Sequence, residues 1–190
     1  MQITKQQHKA AQEIFELIAK ELGKNRAVHP ATVISSAARL SGSFMFRSFN
    51  LQLANGSPGD VVLSVEANEK GPLLINFTGW MLSSLGIDID KKELEDSPMA
   101  ESDLSLLDSL KLLQNKASEI MSMNKLDYEQ MAFSCAMATA FLIKECQHDL
   151  AVQSGFNTAI YSFIEGSKTY PPELSSPAAP RKKSIFTFWK

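Results

Sequence analysis

The chain is poor in the residues that carry most enzyme chemistry. Its 190 residues include three histidines, His8, His29 and His148, and two cysteines, Cys135 and Cys146. No His-x-x-x-His pair occurs and the thiols lack Cys-x-x-Cys spacing, so the common one-helix and knuckle patterns for zinc are missing. A di-iron bundle would need two Glu-x-x-His pairs with further inward carboxylates, and the chain does not carry that set. There is no Gly-x-Ser-x-Gly and no glycine-rich loop of the kind that cradles phosphate. Cys146 and His148 are near neighbours, but residues two apart point to different faces of a helix. The expectation is therefore no metal, no cofactor and no nominated catalytic residue, with an enzyme of unrecognised class kept as an alternative.

Long hydrophobic runs are also scarce. The longest uncharged stretch is Gly71–Ile87, seventeen residues, and it contains Pro72, Asn76, Thr78, Gly79, Ser83 and Ser84. That sits at the lower limit of about 17–25 residues for a spanning helix and is too polar for one, so a buried helix is expected instead. Met1–Gln12 is polar and charged with no apolar h-region, so no secretory leader is expected. If Asp127 to Gln147 is one helix, Cys135 and Cys146 lie about 16 Å apart along its axis, far beyond the roughly 7 Å a disulfide allows. Two unpaired thiols fit a reducing compartment, and a cytoplasmic location is expected.

What the sequence does contain is helical periodicity. Thr4 and Gln7 have capping-box spacing, and Ala11, Ile14, Phe15, Ile18, Ala19 and Leu22 come after them on one face, with Gly23 as a stop. His29-Pro30 opens a second helix toward Phe49; its first half is small (Ser35, Ser36, Ala37, Ala38, Ser41, Gly42) and its second bulky. Asn55–Gly59 is a loop, and Val61–Leu85 is helical again around Gly71-Pro72, where the proline kinks one helix or starts another. Acidic Asp88–Asp96 and Ser97-Pro98 form a connection. Leu106 to Met121 forms an amphipathic helix, and Asp127 with Gln130 caps the next. Met131–Ile143 is apolar or small all round, with Ala132, Ala136 and Ala140 every four residues, so this helix belongs at the centre. A last helix runs from about Ala151 to Glu165, with Gly166 ending it. No stretch alternates as a strand does. The expected fold is all-α: one domain over residues 1–170, a bundle of about six helices, followed by a Pro-rich linker and a basic, aromatic segment over residues 171–190.

Charge is unevenly spread. Residues 1–50 carry a balance of +4, residues 51–180 one of −10, and the last ten residues add four positive charges. Arg39 and Arg47, about 80° apart around a helix, are ligand or anion candidates, and Glu66 and Glu69 at the start of the next helix are their expected salt-bridge partners.

The second helix carries a resemblance. Thr32-Val33, Ala37-Ala38-Arg39, Gly42-Ser43 and Phe46-Arg47-Ser48-Phe49 are similar to the DNA-binding segment of tetracycline-repressor-type regulators. The resemblance implies an all-α, ligand-responsive dimer. The segment is about two residues short at the turn, which rotates the residues beyond it by about 200°, and Arg47 is its one strong base-reading side chain; DNA is accordingly not the favoured partner. Ala27–Phe49 and Tyr161–Thr169 also resemble segments of uncharacterised bacterial helical proteins, which implies a helical fold and no particular activity.

Beyond the linker, Arg181-Lys182-Lys183 precedes Ile185, Phe186, Phe188 and Trp189. Ile185, Phe188 and Trp189 have the i, i+3, i+4 spacing of helix-in-groove anchors, and such a cluster is costly to leave in water. Either it docks on a groove of its own domain or it docks on another protein. A non-enzymatic binding or interaction protein is the favoured function, acting through this segment or an interhelical groove, with a protein partner, a homodimer among the assemblies allowed, and no membrane.

Overall fold

In the computed structural model, residues 3–23, 28–52 and 56–175 are described, and seven helices account for most of them. They are α1 (Lys5–Leu22), α2 (Pro30–Ser48), α3 (Val65–Ser84), α4 (Lys91–Asp96), α5 (Leu106–Met123), α6 (Tyr128–Glu145) and α7 (Val152–Ser167). The fold is all-α, as the periodicity predicts. The seventh helix is α4, a short turn inside the acidic connection. Asp90 starts it by accepting from the amides of Lys92 and Glu93, and Asn157 of α7 holds its end by donating to Leu94 and Ser97 carbonyls at 2.7 and 2.8 Å.

The helix starts agree with the sequence. Both capping boxes form: Thr4 with Gln7 and Asp127 with Gln130. Pro30 occupies the first turn of α2, and the imidazole of His29, instead of capping an amide, meets the Thr32 hydroxyl at 2.7 Å. Pro72 neither breaks nor restarts α3. It sits on an exposed face, so the carbonyl of Asn68 that loses its amide partner is left facing water, where it can be solvated. Gly59, at φ +100°, closes the Ser57–Asp60 turn in a backbone region that favours glycine.

The core lies between α2 and α6. Every residue of α6 from Met131 to Ala140 is buried, and α2 is enclosed even more fully, with fifteen of its nineteen residues buried. Centrality is thus shared by two helices, where the sequence points to one. Small residues let them approach: the Ser41 hydroxyl of α2 donates to the Ala132 carbonyl at 2.7 Å, and Ser36 meets Ser109 of α5 at 3.1 Å. No buried side-chain polar atom among the described residues lacks a partner, as an interior of this density requires.

The tightest contact is between α2 and α7. A Cβ placed on Gly42 would lie 2.6 Å from the Phe163 carbonyl oxygen, and one on Gly166 would lie 2.4 Å from that of Arg39. Gly166 is therefore not a helix stop, as the sequence suggests; α7 runs through it to Ser167, and the missing side chain is what lets two backbones touch. After α7 the chain forms a strap. Thr169 makes an isolated antiparallel bridge with Val61, and the Val62 and Tyr170 amides bond Lys168 and Asp60 carbonyls at 2.7 and 2.8 Å. Pro171–Ser175, a linker by composition, continue this strap along α2 and α5 (Arg47, Gln114, Asn115), so the body of the fold extends past residue 170.

Gly166→Ala should lower stability by about 1–3 kcal/mol through backbone overpacking, and Gly42→Ala should behave likewise. Gly79→Ala offers the contrast. Its Cβ would meet Phe156 at an ordinary 3.5 Å, so helix propensity alone should make it neutral or stabilising by about 0.5–1 kcal/mol. Urea denaturation of the three variants checks this.

Candidate functional site

The sequence groups Arg39 and Arg47 with Glu66 and Glu69, and the structure separates them. Arg39, nearly buried, pairs instead with Glu165 of α7 at 2.7 Å and donates to the Leu104 carbonyl at 2.5 Å. It ties α7 and the α5 approach to α2. Arg47 donates from Nη2 to the Gln114 side chain at 3.0 Å and to the Pro172 carbonyl at 2.5 Å. No carboxylate forms an ion pair with it among the described residues. Burial holds its guanidinium below the usual arginine range, with the phenols of Tyr128 and Tyr170 acting in the opposite sense. These two tyrosines and Arg47 line a small recess of about 240 Å³ under the strap. Arg47 thus acts as the peg for Pro172, with Gln114 holding the Glu173 carbonyl beside it. The two arginines serve different parts of the fold.

The thiols are not poised for nucleophilic chemistry. Burial raises the Cys135 pKa far above the usual thiol range; for Cys146, burial comes first and the carboxylates of Asp149 and Glu145 add to it. His148 is exposed while Cys146 is buried, so the imidazole does not activate the thiol. Glu145 and His148 have Glu-x-x-His spacing but both face water. No three His, Cys, Asp or Glu side chains converge on a metal-sized space among the described residues. No helix among them is long and apolar enough to cross a membrane.

Glu66 and Glu69 lead to a different feature. At 100° per residue, Glu66, Glu69, Leu73, Phe77 and Trp80 fall within about 80° of one another on α3. Lys70, beside them, is drawn to Glu129 of α6 at 2.5 Å, whereas neither Glu66 nor Glu69 makes an ion pair among the described residues. The apolar half of this face stands in water: Leu73 is 45% and Trp80 57% exposed. Between them Phe77 packs edge-on against Phe133 of α6, ring centroids 5.3 Å apart, and tilts against Trp80 at 5.7 Å. The result is an open recess of about 500 Å³ with an aromatic floor. Just before α3 the extended segment leaves Val61 and Leu63 exposed, and Val65, the first residue of the helix, is exposed as well.

The buried helix expected over Gly71–Ile87 is buried on one side only. Gly71, Leu74, Phe77, Thr78, Met81 and Leu82 are enclosed, but Leu73 and Trp80 are not. The sequence holds a signal for this: Glu66, Glu69 and Asn76 mark the solvent side, and Leu73 and Trp80 share it. The segment of α2 that resembles tetracycline-repressor-type regulators lies inside one unbroken helix with most of its surface covered. Ile185, Phe186, Phe188 and Trp189 lie outside the described residues.

No protein-family model, no curated protein and no solved structure matches the chain.

Arg47→Met keeps much of the stem but removes the donor that serves both Gln114 and Pro172, so amide exchange at Tyr170 and Ser175 should accelerate while α6 amides are unchanged. With a thiol-specific disulfide reagent at pH 8, the native protein should show neither Cys135 nor Cys146 reacting within minutes, and both should titrate after unfolding in guanidinium.

Proposed function

We propose that the chain is a non-enzymatic interaction module whose outer α3 face captures an apolar, basic segment of polypeptide. The observation that carries this reading is the exposed pair Leu73 and Trp80 above Phe77 and Phe133, continuous on one helix face with the carboxylates Glu66 and Glu69. An exposed apolar patch rimmed by charge is a common mark of a recognition surface. A tryptophan buries up to about 250 Å². Covering the exposed half of Trp80 therefore returns about 3 kcal/mol at roughly 25 cal/mol per Å², the size of one interface hot spot. The two carboxylates add sign selectivity: an acidic segment meets like charge, a basic one does not.

The chemistry a reaction would require is not assembled on this face. It has aromatic carbon, two carboxylates and an amide, Asn76, and neither carboxylate is buried. That composition suits holding a peptide by shape and charge.

A photo-crosslinking amino acid at position 80 of the full chain, exposed to extract of the source cells, should form an adduct with a basic, apolar stretch of polypeptide. The control is the same group at Met123, which is 67% exposed on α5. Equal labelling from the two positions, or none from position 80, overturns the reading.

A further inference from the structure

The basic, aromatic segment beyond the strap lies outside the described residues, and the α3 face is a surface whose chemistry matches it. We propose that residues 181–189 of this chain are an intramolecular occupant of that face, with Arg181, Lys182 and Lys183 against Glu66 and Glu69 and with Ile185, Phe186, Phe188 and Trp189 over Leu73, Phe77 and Trp80. This rests on the reading of α3 as a docking face and adds its occupant. The module is then self-covered, and an external partner must displace the segment.

The order of side chains is the first argument. Along α3 the carboxylates come first and the apolar residues after them, Trp80 lying eleven residues beyond Glu69, about 16 Å of helix. In the segment, too, the cations precede the apolar residues; Lys183 to Trp189 covers about 9 Å as a helix or about 20 Å extended. Laid parallel to α3, both halves meet their complements at once, and an antiparallel arrangement puts lysine on tryptophan and phenylalanine on glutamate.

Charge is the second. Glu66 and Glu69 have no cationic partner among the described residues, while their neighbour Glu129 is already taken by Lys70. Three successive cations complement the two carboxylates.

Reach is the third. The strap delivers the chain to Ser175, where Asn115 holds its amide at 2.9 Å. Pro172 is held by Arg47, Arg47 and Tyr128 line the same recess, and Glu129, next to Tyr128, bridges to Lys70 on α3. The strap meets the entry to α3 at the Thr169–Val61 bridge and then runs to Gln114 and Asn115 of α5. Ten residues from Ser175 to Ile185 extend about 33–36 Å, comparable to the width of a compact domain of this size, with a radius of gyration of about 16 Å.

The test uses the full chain and one reporter. Trp80 and Trp189 are the two tryptophans, so Trp189→Phe leaves Trp80 alone while keeping an aromatic ring in the segment. Adding Phe186→Ser and Phe188→Ser should shift Trp80 emission to longer wavelength and increase its quenching by acrylamide, with far-UV circular dichroism unchanged. Lys182→Glu with Lys183→Glu should produce the same shift, and adding Glu66→Lys with Glu69→Lys should reverse it. Emission indifferent to the serine substitutions overturns the proposal, as does a shift that depends on protein concentration, which would assign the occupant to a second copy. If Trp80 ignores residues 181–189 but position 80 still crosslinks to a partner protein, the docking face stands and this occupant is wrong. If both results are negative, both fail.

Discussion

The architecture hangs on one approach distance. Where α2 crosses α7, Gly42 and Gly166 bring peptide groups against peptide groups, closer than any side chain would permit. That contact draws α7 onto the middle of α2 and leaves the other faces of α2 for α6, α5 and α1. It also fixes where the chain emerges from α7, and with it the strap that bridges to Val61. The segment entering α3 is positioned by that bridge, so the location of the exposed α3 face depends on two missing side chains on helices to which it does not belong.

Small residues play the same part elsewhere in the core. Ala132 and Ala136 leave their carbonyls open to hydroxyls from α2 and α3, and Ser36 and Ser109 meet across α2 and α5. A core built this way has little freedom to rearrange, since interiors are packed to crystal density. Its buried hydroxyls are all bonded among the described residues, so the polar groups add orientation without the penalty of unsatisfied burial.

Much of this is legible in the sequence and some is not, for reasons that differ by residue. Capping boxes at Thr4 and Asp127 are local, so four residues suffice to place a helix start. The all-round apolar stretch of α6 signals burial because no solvent side can be drawn on it. Gly166 misleads because a glycine near a helix end is usually a terminator, and nothing nearby reveals that Arg39, more than a hundred residues earlier, lies against it. The arginine–glutamate grouping fails for a related reason. Arg39 and Glu66 belong to successive long helices, but partner choice depends on which helix faces which, and α7 brings Glu165 instead. The α3 face lies between these extremes. Its polar positions are visible, but a high apolar content hides the fact that two of the largest residues are on the polar side.

The peg beneath the strap has an evolutionary corollary. Arg47 and Gln114 grip residues 172 and 173 by their main-chain oxygens alone, and every amino acid carries that oxygen. The gripping side chains must supply a hydrogen-bond donor, while the residues gripped need supply only a main-chain oxygen. Drift in this stretch can therefore alter its outward character, its stiffness or its charge without loosening its moorings, which makes it a place where relatives of this protein can diverge in what they display while keeping how they are held.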